Sequence, residues 1–330
     1  MRMPGPLRSA SNVKQKLMGR YILQRLAGML AVMFTVVTIV FIIVRIAPGD
    51  PAAVMLGPDA SAQDISQLRA RLGIDQPLPI QYALFLGQLI RGDLGESIFL
   101  NRPVLSALAD RAEPTFFLTL FAIAIASVIA IPIGILSAYR RGSLFDQATT
   151  TVAMLAASIP SFWLGLLLIQ YFAVRFGVFP VSGYGGPGAS LTTRLYHLVL
   201  PAFALGIVSS ALILRFTRAS MLDVLNDDYV RTARSKGMGE FRVVMKHAFK
   251  NALIPVLTVI GLTAALLVSG AVVTETVFGL PGIGSLVVSA VLRRDYPVIQ
   301  GALLIIAALY VLINFVIDML YLVIDPRVKY

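Results

Sequence analysis

Apolar residues gather along this chain into blocks of about twenty separated by polar and charged stretches. About twenty helical residues, rising about 1.5 Å each, cross about 30 Å of hydrocarbon. Six blocks qualify: Tyr21 to Ile46, Thr115 to Ala138, Thr149 to Phe176, Leu200 to Leu214, Ala252 to Thr274 and Gln300 to Ile324. The fourth is short for a full crossing. Backbone groups in lipid have no water to pair with, so continuous runs of this length predict helices rather than barrel strands. Six crossings return both termini to one side.

Composition agrees with the pattern, since 57% of the 330 residues are hydrophobic and 14% charged, unlike a water-soluble domain. Charge then orients the bundle. Arg2, Arg8, Lys14, Lys16 and Arg20 precede the first span with no acid among them, and residues 215–250 carry eight basic against four acidic residues. Both are expected on the cytoplasmic side, as is the short Arg140, Arg141 loop. Residues 47–114, with five basic and eight acidic residues, are expected outside. The division is therefore a basic N-terminus at 1–20, a first span at 21–46, an external segment at 47–114, and a core of five spans at 115–330 that includes the 215–250 loop. The first block is too long for a signal peptide and lacks a small-residue cleavage site, which predicts a retained anchor. A formal net charge of +11 placed on the inner loops fits topology and anionic lipid headgroups, not nucleic acid.

Within the external segment, Ser61 with Asp64 resembles a capping box, and the helix they start is expected to stop at Gly73. After Pro79, residues Tyr82, Phe85, Leu86, Leu89 and Ile90 recur at helical spacing, which predicts a helix packed on the outer face of the bundle. Pro132, Pro160 and Pro255 lie in or beside spans and read either as hinges or as the proline that membrane helices tolerate. Gly134, Gly165, Gly206, Gly261 and Gly270 are expected at close helix contacts. The stretch VSGYGGPGAS, 181–190, reads as a linker or a mobile lip.

The loop at 215–250 is polar enough to leave the membrane yet reads as two helices. Asn226 is placed to cap the first, Asp227 and Asp228 in its first turn, Arg234 and Lys236 in its last, and Gly237 at its stop. Beyond Gly237, Phe241, Val244, Met245 and Ala248 share one face, while Arg242, Lys246 and Lys250 lie largely off it. Such a helix buries its apolar side against a membrane surface or another protein.

The segment DYVRTARSKGMGEFRVVMKHAFKNALIP, Asp228 to Pro255, resembles the cytoplasmic loop of ABC importer permeases in its peptide and nickel subfamily. Arg231, Thr232, Ala233 and Gly237 align with the Glu-Ala-Ala and Gly positions of the general motif, with Arg231 in place of Glu and Thr232 in place of an Ala. APGDP at Ala47 to Pro51, LGIDQP at Leu72 to Pro77, QY at Gln81 and Tyr82, and GDLGES at Gly92 to Ser97 are similar to external signatures of the first of the two permease subunits. FGLPGIG at Phe278 to Gly284, RDYPVIQG at Arg294 to Gly301 and DPR at Asp325 to Arg327 extend the match. The resemblance implies an all-α type I importer permease in a prokaryotic inner membrane. It implies a second homologous permease, one or two kinds of ATPase subunit, and an external substrate-binding protein.

By that resemblance Asp228, Tyr229, Arg231, Thr232, Ala233, Arg234, Lys236, Gly237 and Phe241 dock on the ATPase. Phe278, Pro281, Gly282, Arg294 and Asp295 are the expected contacts for the binding protein. Di- or oligopeptides are the expected cargo, with nickel complexes or glutathione as alternatives. The chain has no GxxxxGK[ST] phosphate loop, so ATP and Mg belong to the partners, and no catalytic site or cofactor is expected in this chain. Asp318 is the carboxylate inside a predicted span, read as lining the pathway or as pairing with a neighbouring subunit or water. His197 and His247, without cysteine companions, make no recognisable metal site. An ion-coupled secondary transporter or an insertase-like protein is the rival class.

Overall fold

The computed structural model describes residues 8–46, 50–57 and 59–324. The DPR motif at 325–327 and most of APGDP lie outside them. Thirteen helical segments and no strand occur among the described residues. The first, α1, runs Arg8–Ile46, beginning before the apolar block. Three short helices follow: α2 (Pro51–Leu56), α3 (Ala62–Leu72) and α4 (Leu78–Ile90). The Ser61 hydroxyl accepts from the Asp64 amide at 3.1 Å to start α3, and Gly73, at φ 67°, ends it.

The second span, α5, covers Val104–Tyr139. Residues 104–114, read as part of the external segment, thus belong to a span helix. The third is the main departure. Helix α6 (Leu144–Ser158) and α7 (Ser161–Leu168, continued as a π-helical turn over Ile169–Arg175) meet at 94°. The expected straight helix from Thr149 to Phe176 breaks at Ile159, held extended by the proline that follows it. Pro132 and Pro255 lie inside helices that continue through them.

The fourth span, α8 (Leu191–Leu225), far exceeds the apolar block Leu200 to Leu214. Its polar ends remain helical because packing partners satisfy them, as described below. After α9 (Asp228–Ser235), α10 (Glu240–Arg242) passes through a π-helical turn at Val243–Phe249 into α11 (Lys250–Val277). The second helix expected in the polar loop is therefore the lower end of the fifth span. Helices α12 (Ile283–Arg293) and α13 (Tyr296–Ile324) complete the chain.

Helix α8 is the centre: 61% of its apolar window is enclosed, against 6% for α13. It runs parallel to α5, and small residues bring the two backbones together. A Cβ on Gly206 would lie 3.0 Å from the Ala122 carbonyl, and one on Gly134 3.0 Å from that of Leu214. Gly165 receives the Phe278 ring and Gly261 the Ile317 side chain in the same way, whereas Gly270 faces open space, so that expectation fails. Helix α4 packs Phe85, Leu86 and Leu89 against Val37 and Val40 of α1 and Leu304 of α13. Ile90 points away, 87% exposed. The Tyr82 hydroxyl lies 2.6 Å from Thr38 Oγ1, and Arg45 Nε donates to Gln81 Oε1 at 2.7 Å.

Arg25, near the middle of α1, pairs with Asp318 near the end of α13 at 3.0 Å. Ile135 and Ala138 at the end of α5 pack with Met221, Val244 and Ala248, and Gly261 of α11 meets Ile317 of α13, so the later part of α13, the α5–α6 turn and residues 226–250 share one face, here the basic end. Residues 50–57, 59–103, 177–190 and 278–295 share the other, the distal end.

Candidate functional site

At the basic end, α9 hangs from α8 by a two-residue turn. Its pattern is amphipathic over eight residues: Val230 and Ala233 are buried against Val243, with Val224, Leu225 and Met238 closing the cluster. Asp228, Arg231, Thr232, Arg234, Lys236 and Gly237 are exposed. Asn226 closes α8 rather than capping α9, and Asp227 takes the N-cap position. Gly237, at φ 75°, carries the left-handed turn in which its amide bonds to the Arg234 carbonyl at 2.9 Å.

Three side-chain links hold α9 in place. Arg234 Nε donates to Glu240 Oε1 at 2.9 Å, tying α9 to α10. Asn251 Nδ2 donates to the Tyr229 hydroxyl at 2.7 Å, and that hydroxyl donates to the His247 carbonyl. Phe241 projects, 82% exposed, over an apolar groove of about 460 Å3 formed with Ile135, Tyr139 and Met245. Eight of the nine residues expected to dock are exposed. Ala233 is the exception, since it faces inward and seats the helix.

A buried ion pair anchors this surface to the bundle. Asp146, three residues after the Ser143 cap of α6, accepts from Arg218 Nε at 2.6 Å and Nη2 at 2.8 Å. The Ser137 hydroxyl donates to the same carboxylate at 2.5 Å and the Gly142 amide at 2.9 Å. Bidentate guanidinium contacts are the strong class of charge-assisted hydrogen bonds. Arg218 stands on the last turns of α8, so the α5–α6 turn and the stem of α9 are held together.

The distal end is organised around Glu275, fully buried near the end of α11. The Thr115 hydroxyl donates to its Oε1 at 2.5 Å while accepting from the Ile283 amide at 2.9 Å, and the Ser285 amide donates to Oε2 at 2.9 Å. This arrangement accounts for the glycines of FGLPGIG. A side chain on Gly282 would overlap the Glu275 carboxylate, and one on Gly284 would lie 2.5 Å from the Val272 Cα. The fifth apolar block, Ala252 to Thr274, stops one residue short of this acid. An acid at the edge of an apolar run, just before a glycine-rich loop, is the signal that marks it.

Two further loops close on that one. The Gly183 amide donates to the Phe278 carbonyl at 2.9 Å, and His197 Nδ1 lies 3.0 Å from the Gly183 carbonyl. The Tyr184 hydroxyl donates to Glu113 Oε1 at 3.1 Å, and Arg194 Nη1 donates to the same carboxylate at 2.8 Å and 3.0 Å. Burial, then the neighbouring Glu113 carboxylate, pushes the Tyr184 phenol up to about 12, so it remains a donor at any physiological pH. The 181–190 stretch is a pinned loop rather than a free linker.

Asp295 is 2% exposed. Its carboxylate accepts from the Ser97 hydroxyl at 2.5 Å and from the Ile98 amide at 3.3 Å, locking GDLGES to RDYP. Of the residues expected to meet a binding protein, Phe278, Gly282 and Asp295 point inward, Pro281 is half-buried, and Arg294 is exposed at the left-handed end of α12. Asp318 is engaged by Arg25 within the chain.

This chain is similar to known proteins over nearly its whole length. Residues 130–330 match the family described as binding-protein-dependent transport system inner membrane component, and residues 18–119 match the N-terminal part of such components. A probable peptide ABC transporter permease of Sinorhizobium fredii is 44% identical, aligned over 95% of this chain and 100% of its own. The dipeptide transport system permease DppB of Alkalihalophilus pseudofirmus is 42% identical over 94% and 99%. The glutathione transport system permease GsiC of Escherichia coli O6:H1 is 42% identical over 94% and 99%. Among solved structures, an inward-facing MetNI methionine ABC transporter aligns with 66% of this chain and 96% of its own, with a TM-score of 0.56 at 18% identity, a likeness of fold. The chain belongs to the binding-protein-dependent transport system inner membrane component family and is a membrane-spanning permease subunit of an ABC importer.

Proposed function

We propose that the chain supplies half of a translocation pathway for di- or oligopeptides, paired with a second homologous permease and driven by one or two kinds of ATPase subunit. An external binding protein delivers the cargo. The basic end is cytoplasmic and the distal end external, in keeping with the positive-inside rule. The peptide assignment draws on relatives named for peptide, dipeptide and glutathione transport, the last cargo being a modified tripeptide.

The observation that carries the energetic part is the outward row on α9 and α10. Val230 and Ala233 seal its inner side while Arg231, Thr232, Lys236 and Phe241 stand free of the bundle. ATP binding and hydrolysis take place in the partners, and their closure moves α9. The Asp146–Arg218 clamp and the continuous α10–α11 helix carry that displacement into the spans. This chain contributes movement and a path, not chemistry.

Uptake of a radiolabelled tripeptide by the assembled complex in proteoliposomes tests the reading. Uptake that requires both ATP inside and binding protein outside supports it. Uptake by this chain alone, driven by an ion gradient without ATP, would replace it with a secondary transporter.

A further inference from the structure

Beside Glu275 the distal end opens into a cavity of about 490 Å3 between the upper part of α5, the end of α11 and one side of α12. Arg111, Ser289 and Arg293 are among its polar lining and Leu280, Val288 and Leu292 among its apolar lining. Among the described residues neither arginine forms a direct ion pair within 4 Å. Glu275, the acid bordering the cavity, is already engaged by Thr115 and by the Ser285 amide. Arg293 is steered by the Phe99 ring, 5.8 Å from its guanidinium.

Arg111 acts electrostatically on the Glu275 carboxylate, so two guanidiniums stand against one carboxylate that is already hydrogen-bonded, a site with donors in excess. Their planar forks match the two oxygens of a carboxylate. The volume lies within the about 300–1,000 Å3 of small-ligand sites, more than one acidic side chain of a docked protein fills. The apolar wall suits an organic body attached to the anion and gives inorganic phosphate nothing to contact.

We infer that this cavity receives the terminal carboxylate of a peptide at the external mouth, with Arg111 and Arg293 as the binding residues. The inference rests on the peptide reading above. It gives the pathway a contact common to every peptide, while the apolar wall tolerates varied side chains.

The test is titration calorimetry of the complete complex in nanodiscs, without binding protein, using trialanine and its C-terminal amide. Trialanine is expected to bind at least about tenfold more tightly than the amide. The double variant R111Q/R293Q should bring trialanine down to the level of the amide, and an SDS-unfolding midpoint equal to that of the wild type certifies its fold. R111K/R293K, which keeps both charges, should retain part of the preference. Equal affinities in the wild type, no binding of either peptide at millimolar concentration, or an undiminished preference in R111Q/R293Q overturns the carboxylate site. Wild-type uptake of trialanine in proteoliposomes, measured alongside, separates the two claims. Uptake without a carboxylate preference removes this site and leaves the peptide reading standing, whereas no uptake removes the peptide reading and this inference together.

Discussion

Replacing Asp146 by Ala should both destabilise the chain and loosen the stem of α9. Four donors converge on that carboxylate: two from Arg218, one from Ser137 and one from Gly142. Its side chain is 5% exposed and that of Arg218 27%. Removing one member of a buried pair costs about 3–5 kcal/mol because the other is left without a partner. Arg218 can turn partly towards water, which places the expected loss near the low end, at about 3 kcal/mol. Ser137, fully buried, has no such route. In D146A/R218A the orphaned cation is gone, so the double variant should be less destabilised than the sum of the single ones by about 2 kcal/mol. Unfolding of the full chain by SDS in mixed micelles, followed through the single tryptophan, Trp163, gives the cycle. A loss in D146A below about 1 kcal/mol, or single effects additive within about 0.5 kcal/mol, would refute the clamp.

Three other substitutions probe separate links. Gly206→Ala forces its new methyl against Ile125 and the Ala122 carbonyl, and overpacking of this kind should cost about 1–3 kcal/mol in the same unfolding assay. Glu275→Ala leaves the buried Thr115 hydroxyl and the half-buried Ser285 amide without their acceptor, at about 1–3 kcal/mol for the hydroxyl and less for the amide. Protease nicking within 278–285 should then rise, while nicking at 226–240 stays unchanged. Asp295→Ala removes the acceptor shared by Ser97 and the Ile98 amide, so hydrogen exchange should quicken at 97–99 and at the start of α13, with α8 unaffected.

The spans were legible because about twenty apolar residues in series admit few other readings in a bilayer. What hydropathy missed was every place where polar side chains meet one another inside the fold. Helix α8 extends beyond Leu200 to Leu214 because Arg194 finds Glu113 and Arg218 finds Asp146, and neither partnership has a trace in local sequence. The break at Ile159 had a visible cause in Pro160, but Pro132 and Pro255 present the same local signal without a break, so tertiary packing decides among them. Gly237 as the stop of α9 was readable because a left-handed helix end favours glycine, which is a local property. Phe278 and Asp295 looked like surface residues in a loop rich in small residues. They are buried because that loop folds back onto Gly165, Ser97 and the Glu275 carboxylate, contacts between segments far apart in the chain.

The central claim is that energy enters at α9, and single-cysteine crosslinking tests it most directly. The native chain has no cysteine, so each introduced thiol is unique. With the assembled complex turning over ATP and importing peptide, cysteines at Arg231, Lys236 and Phe241 should crosslink to the ATPase subunit through a short bifunctional reagent, and cysteines at the buried Val230 and Val243 should not. Full transport with no crosslink at any of the three exposed positions would contradict the account.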